Sequence, residues 1–191
     1  TVLTEESQTR QLGLSMWSVL RRMHNLEVSD DSMSISAALR LRWDRLSHRL
    51  GDHCSAALNA WMLTRLQDMP DVPRSMVHRD LRPSHWFRAG RHLRLIDFGQ
   101  ARVDAVLFDA VPFYTGVFAP PVEKVVREQF ELTYGARVMN QVDVFAVLYL
   151  CGTIERIVYL DDVVESVRAR RLRASLTDWS SAPLDFDAIL T

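Results

Sequence analysis

Apolar residues recur along the first third of the chain at intervals of three and four. Leu12, Met16, Leu20 and Met23, with Trp17 beside them, trace one stripe. That spacing predicts a helix over 4–24, with Thr4 as its cap and Glu5 and Glu6 where the helix dipole favours negative charge. A polar break at 30–34 precedes a second helical pattern, "SAALRLRWDRLSHRLG", that stops at Gly51. A third helix is expected over 53–68, before the two prolines of "MPDVPRS" forbid continuation.

The period then changes. "SMVHRD" reads as a short strand feeding a loop. "HWF" and "LRLID" are two apolar runs parted by "RAGRH", so a β-hairpin is expected over 85–96. After Asp97 a loop with Gly99 and a polar stretch are expected. Proline at the first turn and glycine at the end mark a helix over 120–135. A largely apolar helix over 140–160 follows, then further helix to about Leu176 and a polar tail over 178–191. The fold class is mainly α with a small β-hairpin.

Composition narrows the classes. A formal net charge of −1 over 191 residues gives no reason to expect nucleic acid as a partner, and the chain has the size of one soluble domain. The longest apolar run, 144–154, is about half of what a bilayer needs, so no membrane span is expected. The first ten residues lack the pattern of a signal peptide. Cys54 and Cys151 have no metal-ligand spacing and read as reduced thiols of a cytoplasmic protein. Of 23 basic residues 22 are arginine, and Lys124 is the one lysine.

Chemistry concentrates in 76–103. Asp80 and Asp97 each end an apolar strand, and the hairpin between them folds the strands back so that both carboxylates face one cleft. One carboxylate on a loop suits a base for an attacking hydroxyl; another suits a hard divalent cation on a triphosphate.

"HRDLRPSH" (78–85) followed 17 positions from Asp80 by Asp97 in "LIDFG" resembles the catalytic and metal loops of the protein-kinase-like superfamily. "SMWSVLRRMHNLEV", "MPDVPRSMVHRD", "DFGQARVDAVLFDA" and "FELTYGA" are similar to stretches of the aminoglycoside phosphotransferase and choline kinase group, over roughly 10–160. The resemblance implies the C-terminal lobe of a kinase-like α+β fold, filling residues 1–191. It implies ATP and Mg²⁺ as cofactors and a hydroxyl of a small molecule, aminoglycoside-like or choline-like, as acceptor. Asp80 would be the catalytic base and Asp97 the principal metal ligand. Asp97, Phe98 and Gly99 would form the nucleotide-side metal loop. His78 and Asp109 would brace the loops, and Arg79 would pair with a carboxylate or a phosphate, or be a solvated loop arginine. The remaining histidines, His24, His48, His53 and His92, read as surface or helix-end residues.

The departures are specific. The group usually has glycine where Arg79 stands. His85 replaces an asparagine that would bind metal, which makes it a candidate second ligand with a bias toward Mn²⁺. A histidine in that slot is similar to the lipopolysaccharide sugar kinases, while "TGVFAPPVE" and "DVFAV" resemble protein Ser/Thr kinase motifs. No glycine-rich loop and no lysine precede the catalytic segment, so the N-terminal lobe that would cover the phosphates is absent from these 191 residues. Two readings follow: a lobe of a longer phosphotransferase, completed in cis or in trans and nearly inactive alone, or a degenerate, non-catalytic binding module.

Overall fold

A computed structural model describes residues 5–28, 33–51 and 54–159, with side chains to residue 152. Thr4, His53, the helix expected beyond 160 and the polar tail over 178–191 lie outside the described residues. Seven α-helices and four strands follow in chain order among those described: α1 (Glu5–His24), α2 (Ile35–Leu50), α3 (Ala56–Gln67), β1 (Arg74–Val77), β2 (Trp86–Ala89), β3 (His92–Leu95), β4 (Arg102–Ala105), α4 (Leu107–Ala110), α5 (Pro120–Tyr134), α6 (Ala136–Met139) and α7 (Val142–Tyr159). They fall into two compact units, Thr1–Asp31 with Val72–Val142 and Ser32–Asp71 with Asp143–Thr191.

In the first unit α1 lies along α5. The stripe read from the sequence is the contact face except at its first position: Met16, Trp17, Leu20 and Met23 are buried, with Val122, Val126 and Phe130 of α5 in the same core, whereas Leu12 is exposed. Trp17 meets Phe130 edge-on with ring centroids 4.9 Å apart. α5 starts on prolines and stops at Gly135, whose φ of 79° ends the helix as expected.

Two antiparallel ribbons complete this unit. β2 and β3 form the expected hairpin, in the register Trp86↔Leu95 to Ala89↔His92, with Gly90 at φ 62° in its turn. The other ribbon differs from the sequence reading. Residues 102–105, expected as a polar stretch, are strand β4, which pairs with β1 from Arg74↔Ala105 to Val77↔Arg102. Four residues carrying one large apolar side chain give no periodicity to detect, and the partner strand lies far upstream.

The second unit holds α2, α3 and α7. Ser34 and Ser55 cap α2 and α3, accepting from the amides of Ala37 and Leu58. Trp43 is fully buried, and its indole N–H donates to Asn59 Oδ1 at 2.8 Å, satisfying the one polar atom it takes inside. Cys151 is buried and Cys54 half-buried, both as free thiols, and burial pushes both thiols up. No helix among the described residues is long and apolar enough to cross a membrane.

Candidate active site

The loop that follows β1 is held from below by one carboxylate. Asp109 on α4 is fully buried, and it accepts the His78 amide at 3.0 Å and the Arg79 amide at 2.8 Å, one on each oxygen. Arg79 stands in the left-handed region at φ 68°, a conformation that costs a non-glycine residue about 1–2 kcal/mol. The paired amides hold it there. Its guanidinium lies over the Phe108 ring at 4.5 Å, with Nε 3.5 Å from Asp104 Oδ2, so it is not a solvated loop arginine.

His78 is buried and ties the two loops together. Its Nε2 donates to the Ile96 carbonyl at 2.9 Å, and its Nδ1 faces the Asp80 amide at 3.4 Å. A carbonyl only accepts, so the proton sits on Nε2 and Nδ1 is left to accept. Phe98, half exposed, packs edge-on against this ring at 5.0 Å.

Residues 80–85 then fold back on themselves. The tight helical turn Pro83–His85 brings the His85 ring to the start of the loop, where Nδ1 donates to the Asp80 carbonyl at 2.7 Å. The Ile96 amide donates to the His85 carbonyl at 3.0 Å, which fixes the end of β3 against this turn. Asp97 follows at φ 64°, and Gly99 lies beside its carboxylate.

These constraints bring Asp80, His85 and Asp97 together. Each presents a ligand atom within 4.8 Å of those of the other two. His85 Nε2 lies 3.5 Å from Asp97 Oδ2, and the Asp97 side chain is 60% exposed while that of His85 is 12% exposed. With Nδ1 donating to the Asp80 carbonyl, Nε2 is the ring atom turned toward the Asp97 carboxylate: carrying a proton it pairs with Asp97 directly, and without one it presents a lone pair beside a carboxylate. In the second state a divalent cation fits between the two, and an imidazole oriented by a backbone carbonyl is a common metal-ligand arrangement. A donor set in which an imidazole joins a carboxylate suits Mn²⁺ and other first-row ions better than Mg²⁺.

Sequence reading passed over two residues here. Arg82 donates to Asp80 Oδ1 at 2.8 Å, and a cation two positions past the carboxylate was the available signal. His24 was expected at a surface or helix end; it does end α1, but its ring is buried against Asp109 at 3.1 Å and Tyr134 at 2.9 Å. It continues the buried stripe four residues after Leu20, which periodicity alone made visible. His48 and His92 are exposed, as read. A groove of about 910 Å³ opens beside Pro83, lined chiefly by Leu12, Met16, Trp86, Phe87, Phe118 and Val122. Its one titratable acid is Glu5, whereas Asp80, His85 and Asp97 bring three such groups together.

Comparison with known proteins gives the same direction. The sequence model of the phosphotransferase enzyme family, APH, matches residues 1–145. No curated protein matches the chain by sequence. Among solved structures, the chain is similar to a thermostable mutant of aminoglycoside phosphotransferase APH(4)-Ia in its apo form, with a TM-score of 0.64 and 12% identity over 91% of this chain and 67% of that one. It is also similar to the apoenzyme of macrolide 2'-phosphotransferase MphH from Brachybacterium faecium, with a TM-score of 0.61 and 14% identity over 95% of this chain and 65% of that one. The chain thus spans about two thirds of the length of each. At these identities the likeness is one of fold.

Proposed function

This chain belongs to the phosphotransferase enzyme family, and from that premise we propose that it carries the acceptor-activating and metal-binding half of an ATP-dependent kinase acting on a hydroxyl of a small molecule. The observation that supports this most is the convergence of Asp80, His85 and Asp97 on loops pinned by buried hydrogen bonds.

Each residue then has a task. Arg82 steadies Asp80 Oδ1, leaving the other oxygen to take the proton of the attacking hydroxyl. His85 and Asp97 hold a divalent cation, Mg²⁺ or Mn²⁺, which when bound neutralises charge on the phosphates being transferred. Phe98 and Gly99 keep Asp97 in its turn. His78, Arg79 and Asp109 keep Asp80 where it is, since in-line transfer depends on positioning more than on covalent help.

On this reading a phosphate-covering lobe with a strand lysine, which the described residues do not include, completes the site in cis or in trans, in the cytoplasm where ATP is at hand. The acceptor is of the aminoglycoside-like or choline-like class. His85 favours a second reading, closer to the lipopolysaccharide sugar kinases, and the lone lysine, Lys124, favours a third, a non-catalytic binding module.

An ATP titration with and without Mn²⁺ or Mg²⁺ tests the reading. Metal-dependent binding that Asp97→Ala abolishes is the expected result, with almost no turnover from the 191-residue chain alone. Metal-independent binding, or none, favours the binding module. Robust turnover lost in Asp80→Asn would mean that this chain grips ATP in some other way.

A further inference from the structure

A line of polar side chains runs from half-buried Tyr134 at the end of α5, through buried His24 and Asp109, to the loop that carries Asp80. Tyr134 Oη lies 2.9 Å from His24 Nδ1, His24 Nε2 lies 3.1 Å from Asp109 Oδ2, and Asp109 accepts the amides of His78 and Arg79. The side chains of His24 and Asp109 are 1% and 0% exposed, so water does not replace either of them; Tyr134 is half-buried. The backbone carbonyl of the same histidine accepts the Ser75 hydroxyl from β1, the strand that leads into the loop.

The Asp109 carboxylate must keep one oxygen on each loop amide. Its Oδ2 serves both the His78 amide and His24, and the His24 N–H is the contact that stops the carboxylate from rotating away from Arg79. Asp109 only accepts, so the His24 proton sits on Nε2. The Tyr134 hydroxyl, donating to Nδ1, sets that tautomer. A left-handed Arg79 persists only while its surroundings over-determine it.

We propose that His24 is a positioning residue of the phosphotransfer site: by orienting Asp109 it fixes the backbone of His78 and Arg79, and with it the Asp80 carboxylate and the His85–Asp97 metal pair. Its consequence for chemistry rests on the phosphotransferase reading; its effect on the loop does not.

The test uses the 191-residue chain as His24→Ala and His24→Gln, the glutamine amide being able to donate to Asp109 in place of Nε2. Amide hydrogen exchange at His78 and Arg79 is read against amides of the β2–β3 hairpin, and Mn²⁺ affinity is read by calorimetry. In His24→Ala, exchange at the two loop amides rises about tenfold relative to the hairpin, and Mn²⁺ affinity falls about tenfold. Glutamine restores both to within about threefold of wild type. Loop amides as protected as in wild type, or loop and hairpin loosened together with no rescue by glutamine, overturn the proposal. Should the alanine variant fail to fold, Tyr134→Phe removes only the hydroxyl that sets the tautomer. It is expected to raise exchange at His78 and Arg79 by about twofold or more, and no change there counts against the proposal. A wild-type chain that binds no Mn²⁺ sinks the phosphotransferase reading, and the exchange arm still decides the role of His24.

Discussion

His85 presents Nε2 to Asp97 Oδ2 at 3.5 Å while its Nδ1 is committed to the Asp80 carbonyl at 2.7 Å. The ring is therefore oriented before any ion arrives, which favours tight ligation over recruitment of a mobile side chain. Calorimetric titration should show Mn²⁺ bound more tightly than Mg²⁺, and His85→Asn should reduce that preference by about tenfold, because an amide oxygen replaces a borderline nitrogen. An Mn²⁺/Mg²⁺ ratio that does not move in the variant would show that the imidazole does not touch the metal.

Asp109 is the buried acceptor for three donors, and removing it strands all three. Each unmade bond to a buried donor costs about 1–3 kcal/mol, so Asp109→Ala should lower unfolding stability by about 4 kcal/mol or more. Asp109→Asn keeps the shape and one accepting oxygen and should lose about half as much. Urea denaturation of both variants gives the comparison. Equal losses would mean that packing, rather than the hydrogen bonds, accounts for the cost.

The residues that meet in the site were legible because short motifs fix them: "HRDLRPSH" and "LIDFG" name Asp80, His85 and Asp97, and a hairpin flagged by Gly90 brings them together. Helices α1, α2, α3 and α5 were legible from period, caps and flanking prolines, and α7 from its apolar run. Elements with little local signal were not. β4 exists because β1 offers it a partner, and α4 is four residues long. The bond between His24 and Asp109 spans 85 positions of sequence, so nothing near either residue announces the other. Asp109 was visible as a carboxylate following the metal loop, but its partners were set by folding.

Tyrosine burial should appear in the alkaline stability of the protein. Burial pushes Tyr134 up to about 12, helped by Asp109 and opposed by Arg21. Tyr114 is also pushed up to about 12, first by burial and then by Glu131, against Arg127. The unfolded chain releases these protons near 10, before the folded chain does, so the native state binds more protons in that window. The contribution is whole below pH 10 and is lost as pH rises from 10 through 12. In the unfolded chain Lys124 and the two other tyrosines lose protons in the same range, and the two raised thiols begin the decline from 9.0. Allowing for partial exposure, each tyrosine should contribute about 1 kcal/mol to the loss. Melting temperatures between pH 8 and 11.5 should fall less steeply in Tyr134→Phe and Tyr114→Phe than in wild type, and an unchanged slope would refute the assignment.

Gly13 sets how closely α1 approaches α5. A Cβ added there would stand 2.9 Å from both Cβ and Cγ1 of Val125 and 3.4 Å from the Val122 carbonyl. Helix propensity taken alone favours alanine over glycine in mid-helix by about 1 kcal/mol. Packing opposes it, because Val125 is β-branched, held to one rotamer in a helix, and cannot swing its Cβ aside. The helices would have to separate along a face that buries Met16, Trp17 and Leu20, and overpacking of this kind costs about 1–3 kcal/mol. Gly13→Ala should therefore lower the urea midpoint despite its better propensity. Val125→Ala opens the space, so the double variant should be more stable than the two single losses added together, by about 1 kcal/mol of coupling. A Gly13→Ala chain more stable than wild type would mean that the α1–α5 contact yields more easily than these distances imply, and that glycine is there for some reason other than close approach.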